Sequence, residues 1–330
     1  MNHRDELLSL FSSQKNGSVP AFSGLIHITA DGLRDQGLSF GEIHHEAQKM
    51  AQAAMSTFKI TGMPSAALPL DLCAPAEALG ARLKFYPDEE MRFPQVVSDF
   101  LYSSTKELPG HFAFDLDRGR LGIVCDAISL VKKELGSKVI VSGTIPGPYT
   151  LLLYICHPRN LFIEMKKDPQ SVIGAVLQLS AFLAELGTAY KNAGADLITI
   201  HDMGGSPGFI GPSKFEQFVF PGLKGLISAL PAPTVLSICG NTNKSMELLA
   251  QTGADAVSVD QTNDLPASRA ILQDTLLFGN LDPVHVLAGG SPGDVRTAVW
   301  VAIQSGVDAV WPGCDLVPQT PIENLRALQF

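Results

Sequence analysis

Nine polar side chains fall where short apolar runs of the sequence end, and two of them are thiols. TVLSIC (234–239) closes on Cys239 with Ser237 two residues earlier, and DAVWPGC (308–314) closes on Cys314. Other runs end on Asp71, on His201 with Asp202, on Asp260, and on Asn280 with Asp282. Alternate residues of a strand share a face, so Ser237 and Cys239 point the same way. Two thiolates brought together are soft ligands for Zn²⁺, whereas two separate buried cysteines are simply small hydrophobes. His201 offers an imidazole that serves equally as metal ligand, general base or hydrogen-bonded structural group. Asp71 and Asp260 are the acids placed for proton transfer, and Asp202, Ser237, Asn280 and Asp282 are polar groups suited to holding a substrate. Taken singly, each is as well explained as a helix cap; together they exceed what capping requires.

These residues need a frame that gathers strand ends at one face. Eight β-rich apolar runs supply it: 22–29, 66–72, 138–145, 196–202, 234–239, 255–261, 275–282 and 308–314. Helical patterns separate them. Leu121, Val124, Ile128, Val131 and Leu135, for example, recur at steps of three or four and mark one apolar helix face. Strand–helix alternation implies parallel strands with crossover helices, and eight such units predict a (β/α)₈ TIM barrel whose strand C-termini carry the site. An open doubly wound sheet is the alternative, without the GxGxxG that a dinucleotide-binding version would place after its first strand. GADLITI (194–200), GADAVSV (253–259) and SGVDAVW (305–311) repeat one pattern, a glycine ending a helix before a buried strand.

One long stretch, residues 87–117, lacks clear periodicity and reads as a lid or an excursion near the site, with a surface loop as the equal alternative. The remainder is expected to be a single domain behind an N-terminal extension. Composition narrows the function classes. At 45% hydrophobic and 17% charged residues with 30 glycines, the chain can bury a large core. A net charge of −9 with no basic cluster speaks against nucleic acid. The N-terminal residues have no signal-peptide core, and no run reaches the roughly 18 uninterrupted apolar residues of a membrane span, so a soluble cytoplasmic protein is expected. Five cysteines, an odd number without CxxC spacing, suit reduced thiols.

SICGNT (237–242) followed by PGC (312–314), with GNLDP (279–283), TPIENLRAL (320–328) and PLDLCAPAEALGA (69–81), resembles the uroporphyrinogen decarboxylase superfamily over nearly the whole chain. The likeness is greatest to its zinc-dependent corrinoid methyltransferases, the methylcobamide:coenzyme M enzymes among them. The decarboxylase branch carries an arginine-containing segment after its first strand; here that region reads SGLIHITADGLRDQG (23–37), without the arginine pair that several substrate carboxylates require. Asp71 stands where that branch has its catalytic aspartate. The methyltransferase branch holds zinc by a His-x-Cys and a distant Cys, which implies Cys239 and Cys314 as ligands and puts Ser237 in the histidine's place. A hydroxyl is a poor substitute for imidazole. His201, ending the neighbouring run, is the candidate replacement; weak binding through two thiolates with Asp260 or water, and loss of the metal, are the alternatives. The resemblance implies attack of a zinc-held thiolate on a methyl-cobamide delivered by a separate corrinoid protein, since the chain has no DxHxxG corrinoid signature. The methyl acceptor or donor is a small molecule: coenzyme M, another thiol or tetrahydrofolate. A decarboxylase-like lyase centred on Asp71 and a non-catalytic tetrapyrrole- or corrinoid-binding barrel are the competing expectations.

Overall fold

The computed structural model describes residues 3–12 and 19–329; the rest of the N-terminal extension, residues 1–2 and 13–18, and residue 330 lie outside it. Seven strands form one curled parallel sheet in chain order: β1 (Ser65–Leu68), β2 (Ile140–Pro146), β3 (Leu197–His201), β4 (Thr234–Ile238), β5 (Ala256–Val259), β6 (Leu276–Leu281) and β7 (Ala309–Pro312). They are the second to eighth of the eight runs, mostly trimmed at their ends. Nearly every strand residue is buried, as both faces of a helix-covered parallel sheet must be.

The first run is the exception. Instead of a strand over 22–29, the chain makes a single parallel bridge between Ala21 and Val310 of β7. It then turns into the hollow of the sheet, where the Gly24 carbonyl accepts from Ser142 Oγ (3.1 Å) and Thr144 Oγ1 (3.0 Å) of β2. A Cβ at Gly24 would lie 2.3 Å from Thr199 Oγ1 and 2.6 Å from Trp311, so only glycine passes there. Towards β1 the seam uses side chains in place of a backbone ladder. Ser23 N–H donates to Ser65 Oγ (3.0 Å), and the His27 ring lies between Leu25 O (2.6 Å) and Ser65 O (3.0 Å). Competition from these local bonds is why an apolar run with strand composition does not become one.

The repeated Gly-x-Asp segments do more than end helices. Gly194, Gly253 and Gly306 each adopt positive φ (116°, 85° and 91°). In the two GAD repeats and in GVD, an acid opens the next strand and grips the strand before it. Asp196 accepts from Val141 N (2.9 Å), Asp255 from Thr234 N (2.7 Å) and Asp308 from Leu277 N (2.9 Å). Each repeat therefore staples two neighbouring strands at the end of the sheet opposite the site. That end is floored by Phe22, Leu25, Ile140, Leu197, Val235, Phe278 and Trp311, and Leu7 of the N-terminal helix His3–Ser9 packs onto it. Arg4 of that helix reaches Asp196 at 2.6 Å.

Outside the sheet, Leu121–Leu135 buries the face its spacing predicted: Leu121, Val124, Ile128, Val131 and Leu135. The 25-residue helix Pro169–Ala193 is long and apolar enough to cross a membrane by length and composition. Val172, Val176, Leu179, Leu183 and Leu186 on it are buried in the core, which accounts for that apolarity. Residues 87–117 contain two short 3₁₀ turns, Asp88–Glu90 and Thr105–Glu107. Between them Gln95–Val96 pairs antiparallel with Leu83–Lys84.

Candidate metal centre and adjoining cavity

The three residues named as metal ligands from the sequence lie together. His201 is the last residue of β3, Cys239 follows β4 directly, and Cys314 comes two residues after β7. Their ligand atoms all lie within 4.8 Å of one another. His201 Nε2 is 3.2 Å from Cys239 Sγ and 3.8 Å from Cys314 Sγ. A tetrahedral zinc with the usual bond lengths needs nitrogen and sulfur about 3.6 Å apart, and the two observed distances bracket that value. Donor type and spacing both fit the metal.

Strand register explains how this arises without a histidine at position 237. His201 pairs with Ser237 across β3–β4, so an imidazole on β3 occupies the level that the residue two before Cys239 would otherwise use. Ser237 Oγ is fully buried and has no hydrogen-bond partner among the described residues. His201 itself is completely buried, and its Nδ1 has no hydrogen-bond partner among the described residues; Asp315 Oδ2 faces it at 3.7 Å.

Charge inside the cluster is strongly coupled. The neighbouring Cys314 sulfur, together with burial, pushes the Cys239 thiol far up. Cys239 and His201 outweigh burial at Cys314 and lower that thiol to about 4. Burial works against the His201 imidazolium, but Asp315 and Cys314 more than offset it and lift it to about 9. Burial raises Asp315 to about 6 against the pull of His201. These shifts favour charge on His201 and Cys314 and a proton retained on Cys239. A dication replaces both remaining protons.

Asp71 sits apart from this cluster, and its carboxylate is already engaged. Arg120 grips it with two bonds of 2.7 and 3.1 Å, His44 Nδ1 lies 3.4 Å away, and Cys73 N donates at 2.9 Å. Arg120 also holds Glu77 at 2.6 Å. Burial would raise the Asp71 carboxyl, but Arg120 and His44 outweigh it and hold it well below the usual carboxylate range. The cation that holds Asp71 comes from 49 residues further along the chain, a relation no local motif could reveal. Asp71 and Asp315 line one cavity of about 580 Å³. Met91, Phe93 and Phe100 of the 87–117 stretch, with Tyr154 and Met203, form its apolar walls.

The remaining candidates hold the frame. Asp260 accepts from Gly240 N, from Thr262 N (2.9 Å) and Oγ1 (2.6 Å), and from Asn263 Nδ2 (3.0 Å). Asn263, unnoticed in the sequence, adds bonds to Thr242 N (2.8 Å) and Gly240 O (3.0 Å). Together they fix the turn after Cys239, in which Gly240 has φ +88°. Asn280 reaches the Asp260 and Asn263 carbonyls at 3.3 and 3.4 Å. Asp282 caps the helical turn Pro283–Ala288 through Val284 N (2.8 Å) and His285 N (2.9 Å), both bonds ending on Oδ1. Asp202 is fully buried, accepts from Thr150 Oγ1 and Gly205 N, and sits against Gly147 at the start of helix Pro148–Ile155. It too serves an inter-element join, and burial raises its carboxyl.

Sequence comparison decides the family. The profile described as Uroporphyrinogen decarboxylase (URO-D) matches residues 2–329. The chain belongs to the uroporphyrinogen decarboxylase family. Within that family it is 31% identical to the methylcobamide:CoM methyltransferase MtbA of Methanosarcina mazei, over 98% of this chain and 96% of the relative. It is 30% identical to the methylcobamide:CoM methyltransferase MtaA of Methanosarcina barkeri, with the same shares covered. A solved methyltransferase from Methanosarcina mazei superposes with a TM-score of 0.94 at 25% identity, over 99% of this chain and 97% of that one. These likenesses place the chain with the methylcobamide-dependent methyltransferases of the family.

Proposed function

We propose that this chain moves a methyl group between a methyl-cobamide, carried by a partner corrinoid protein, and a small thiol, at a zinc centre held by His201, Cys239 and Cys314. The observation that carries the reading is the convergence of one imidazole and two thiols from three strand ends, within 4.8 Å. It occurs in a chain whose full-length relatives are named for methylcobamide chemistry.

When bound, zinc supplies a Lewis acid that favours an acceptor thiol as thiolate at neutral pH. The chain's own residues prepare the place where that sulfur reacts. Asp260 and Asn263 lock the Cys239 turn, so one ligand is set before any metal arrives. Met91, Phe93, Phe100 and Met203 wall the adjoining cavity with apolar surface, which strips water from an entering sulfur. Arg120 offsets the Asp71 charge on that wall, which lessens its repulsion of an anionic nucleophile. In the transfer a sulfur–carbon bond forms as the cobalt–carbon bond breaks, and cobalt keeps the electron pair as Co(I). Alignment of sulfur, carbon and cobalt in one enclosed space is an effect worth roughly 7–11 kcal/mol when fully realised.

This reading takes the fold as a single-domain, eight-unit barrel with residues 20–25 in the first position and 87–117 as its lid, working in the cytoplasm. The test is anaerobic incubation of zinc-loaded protein with methylcob(III)alamin and coenzyme M. Loss of the methylcobalamin spectrum with formation of the methyl thioether is expected, absent in Cys239→Ala and Cys314→Ala. Zinc-loaded protein that transfers no methyl group to coenzyme M or any other small thiol would overturn the reading.

A further inference from the structure

His201 is useful as a ligand only in one tautomer. The ring atom facing both sulfurs is Nε2, at 3.2 and 3.8 Å, so a neutral imidazole must carry its proton on Nδ1. Nδ1 is buried without a hydrogen-bond partner among the described residues, and the carboxylate opposite it is Asp315 Oδ2 at 3.7 Å. The other acid beside the ring, Asp202, accepts from Thr150 and Gly205 through Oδ1 alone, but among the described residues only Asp315 brings a carboxylate oxygen within 4 Å of a His201 ring nitrogen.

We infer that Asp315 is the positioning residue for His201: it accepts the Nδ1 proton, fixes the ring with Nε2 towards the metal and raises that nitrogen's basicity. This rests on the zinc reading above. Asp315 is itself held by the part of the chain that fails to form a strand. Ile26 N donates to Asp315 Oδ1 at 2.9 Å, and Leu316 N donates back to Ile26 O at 2.9 Å. This two-bond clamp leaves Oδ2 for the ring. The bend of residues 22–29 into the hollow thereby has a use, because an eighth regular strand would have committed the Ile26 amide to its ladder. A histidine that has moved to the neighbouring strand needs an orienting acceptor of its own, and Asp315, directly after the ligand Cys314, provides one.

The test compares full-length wild type, Asp315→Asn and Asp315→Glu by zinc competition against a chromophoric chelator. It adds nitrogen-15 NMR of the histidine rings in zinc-loaded wild type. Asparagine keeps an acceptor for Ile26 but turns a donor towards Nδ1, so zinc affinity should fall about 10–100-fold. Glutamate should recover part of the loss. The wild-type spectrum should show His201 protonated at Nδ1 and ligated at Nε2. Unchanged affinity in Asp315→Asn, or ligation through Nδ1, would overturn the role of Asp315 while leaving a zinc centre in place. Wild type that binds no zinc would overturn the centre itself, and this role with it.

Discussion

Replacing Arg120 with Gln should destabilise the fold far more than a single surface charge would, and the effect should depend on Asp71. The two side chains are 3% and 1% exposed and joined by two bonds, at 2.7 and 3.1 Å. Loss of the guanidinium leaves Asp71 ionised in a buried site with His44 and the Cys73 amide as its remaining partners, and leaves Glu77 without its 2.6 Å partner. Breaking a buried pair from one side costs about 3–5 kcal/mol, a large part of a total stability of roughly 5–15 kcal/mol. Asp71→Asn added to Arg120→Gln removes the stranded charge and should return about half of the loss. The pH dependence has a definite sign. In wild type the Asp71 carboxyl is depressed when folded, so its contribution is present above the unfolded value of about 3.9 and vanishes as pH falls through the lower folded value. In Arg120→Gln burial dominates, the folded value rises, and the penalty grows as pH increases from about 4 towards neutrality. Urea unfolding of wild type, both single variants and the double variant at pH 5 and pH 7 supplies the four corners of the cycle. Strict additivity, or a cost below about 1 kcal/mol for Arg120→Gln, would refute the argument.

Zinc affinity should rise with pH, because His201, lifted to about 9, and the raised Cys239 thiol both surrender protons on binding. Calorimetry in buffers of different ionisation enthalpy would count those protons, and a flat profile between pH 6 and 9 would speak against the assignment. Ser237→His should strengthen zinc binding little, because His201 already fills the imidazole role. A large gain would show that His201 is not a ligand. Gly147→Ala should lower the thermal midpoint by several degrees, since the new Cβ would lie 2.1 Å from Asp202 Cγ. An unchanged midpoint would mean that Asp202 is free to move aside.

The order of strands and helices was legible because apolar runs alternate with helical patterns from 66 onwards, and Gly-x-Asp marks three strand starts. Residues 22–29 misled for a physical reason. Their composition is that of a strand, but Ser65, His27 and the β2 hydroxyls offer backbone groups closer partners than a ladder would. Strand-end position was enough to nominate His201, Cys239 and Cys314, since parallel strands deliver their C-termini to one face. It could not separate metal-directed groups from frame-directed ones. Asp282 and His201 look alike as strand-end residues, and only the amides of Val284 and His285 show where the Asp282 carboxylate is used. Arg120, Asn263 and Asp315 went unnoticed because what matters about them is a partner distant in sequence or, for Asp315, a clamp from Ile26 at the far end of the chain.

Zinc K-edge X-ray absorption of the protein, purified without chelator and with its zinc content measured on the same sample, bears most directly on the centre proposed here. About one zinc per chain is expected, with two sulfur scatterers at about 2.3 Å and at least one imidazole nitrogen at about 2.0–2.1 Å, and loss of one sulfur in either Cys239→Ser or Cys314→Ser. A spectrum without sulfur ligation, or a protein that neither contains nor takes up zinc, would contradict it.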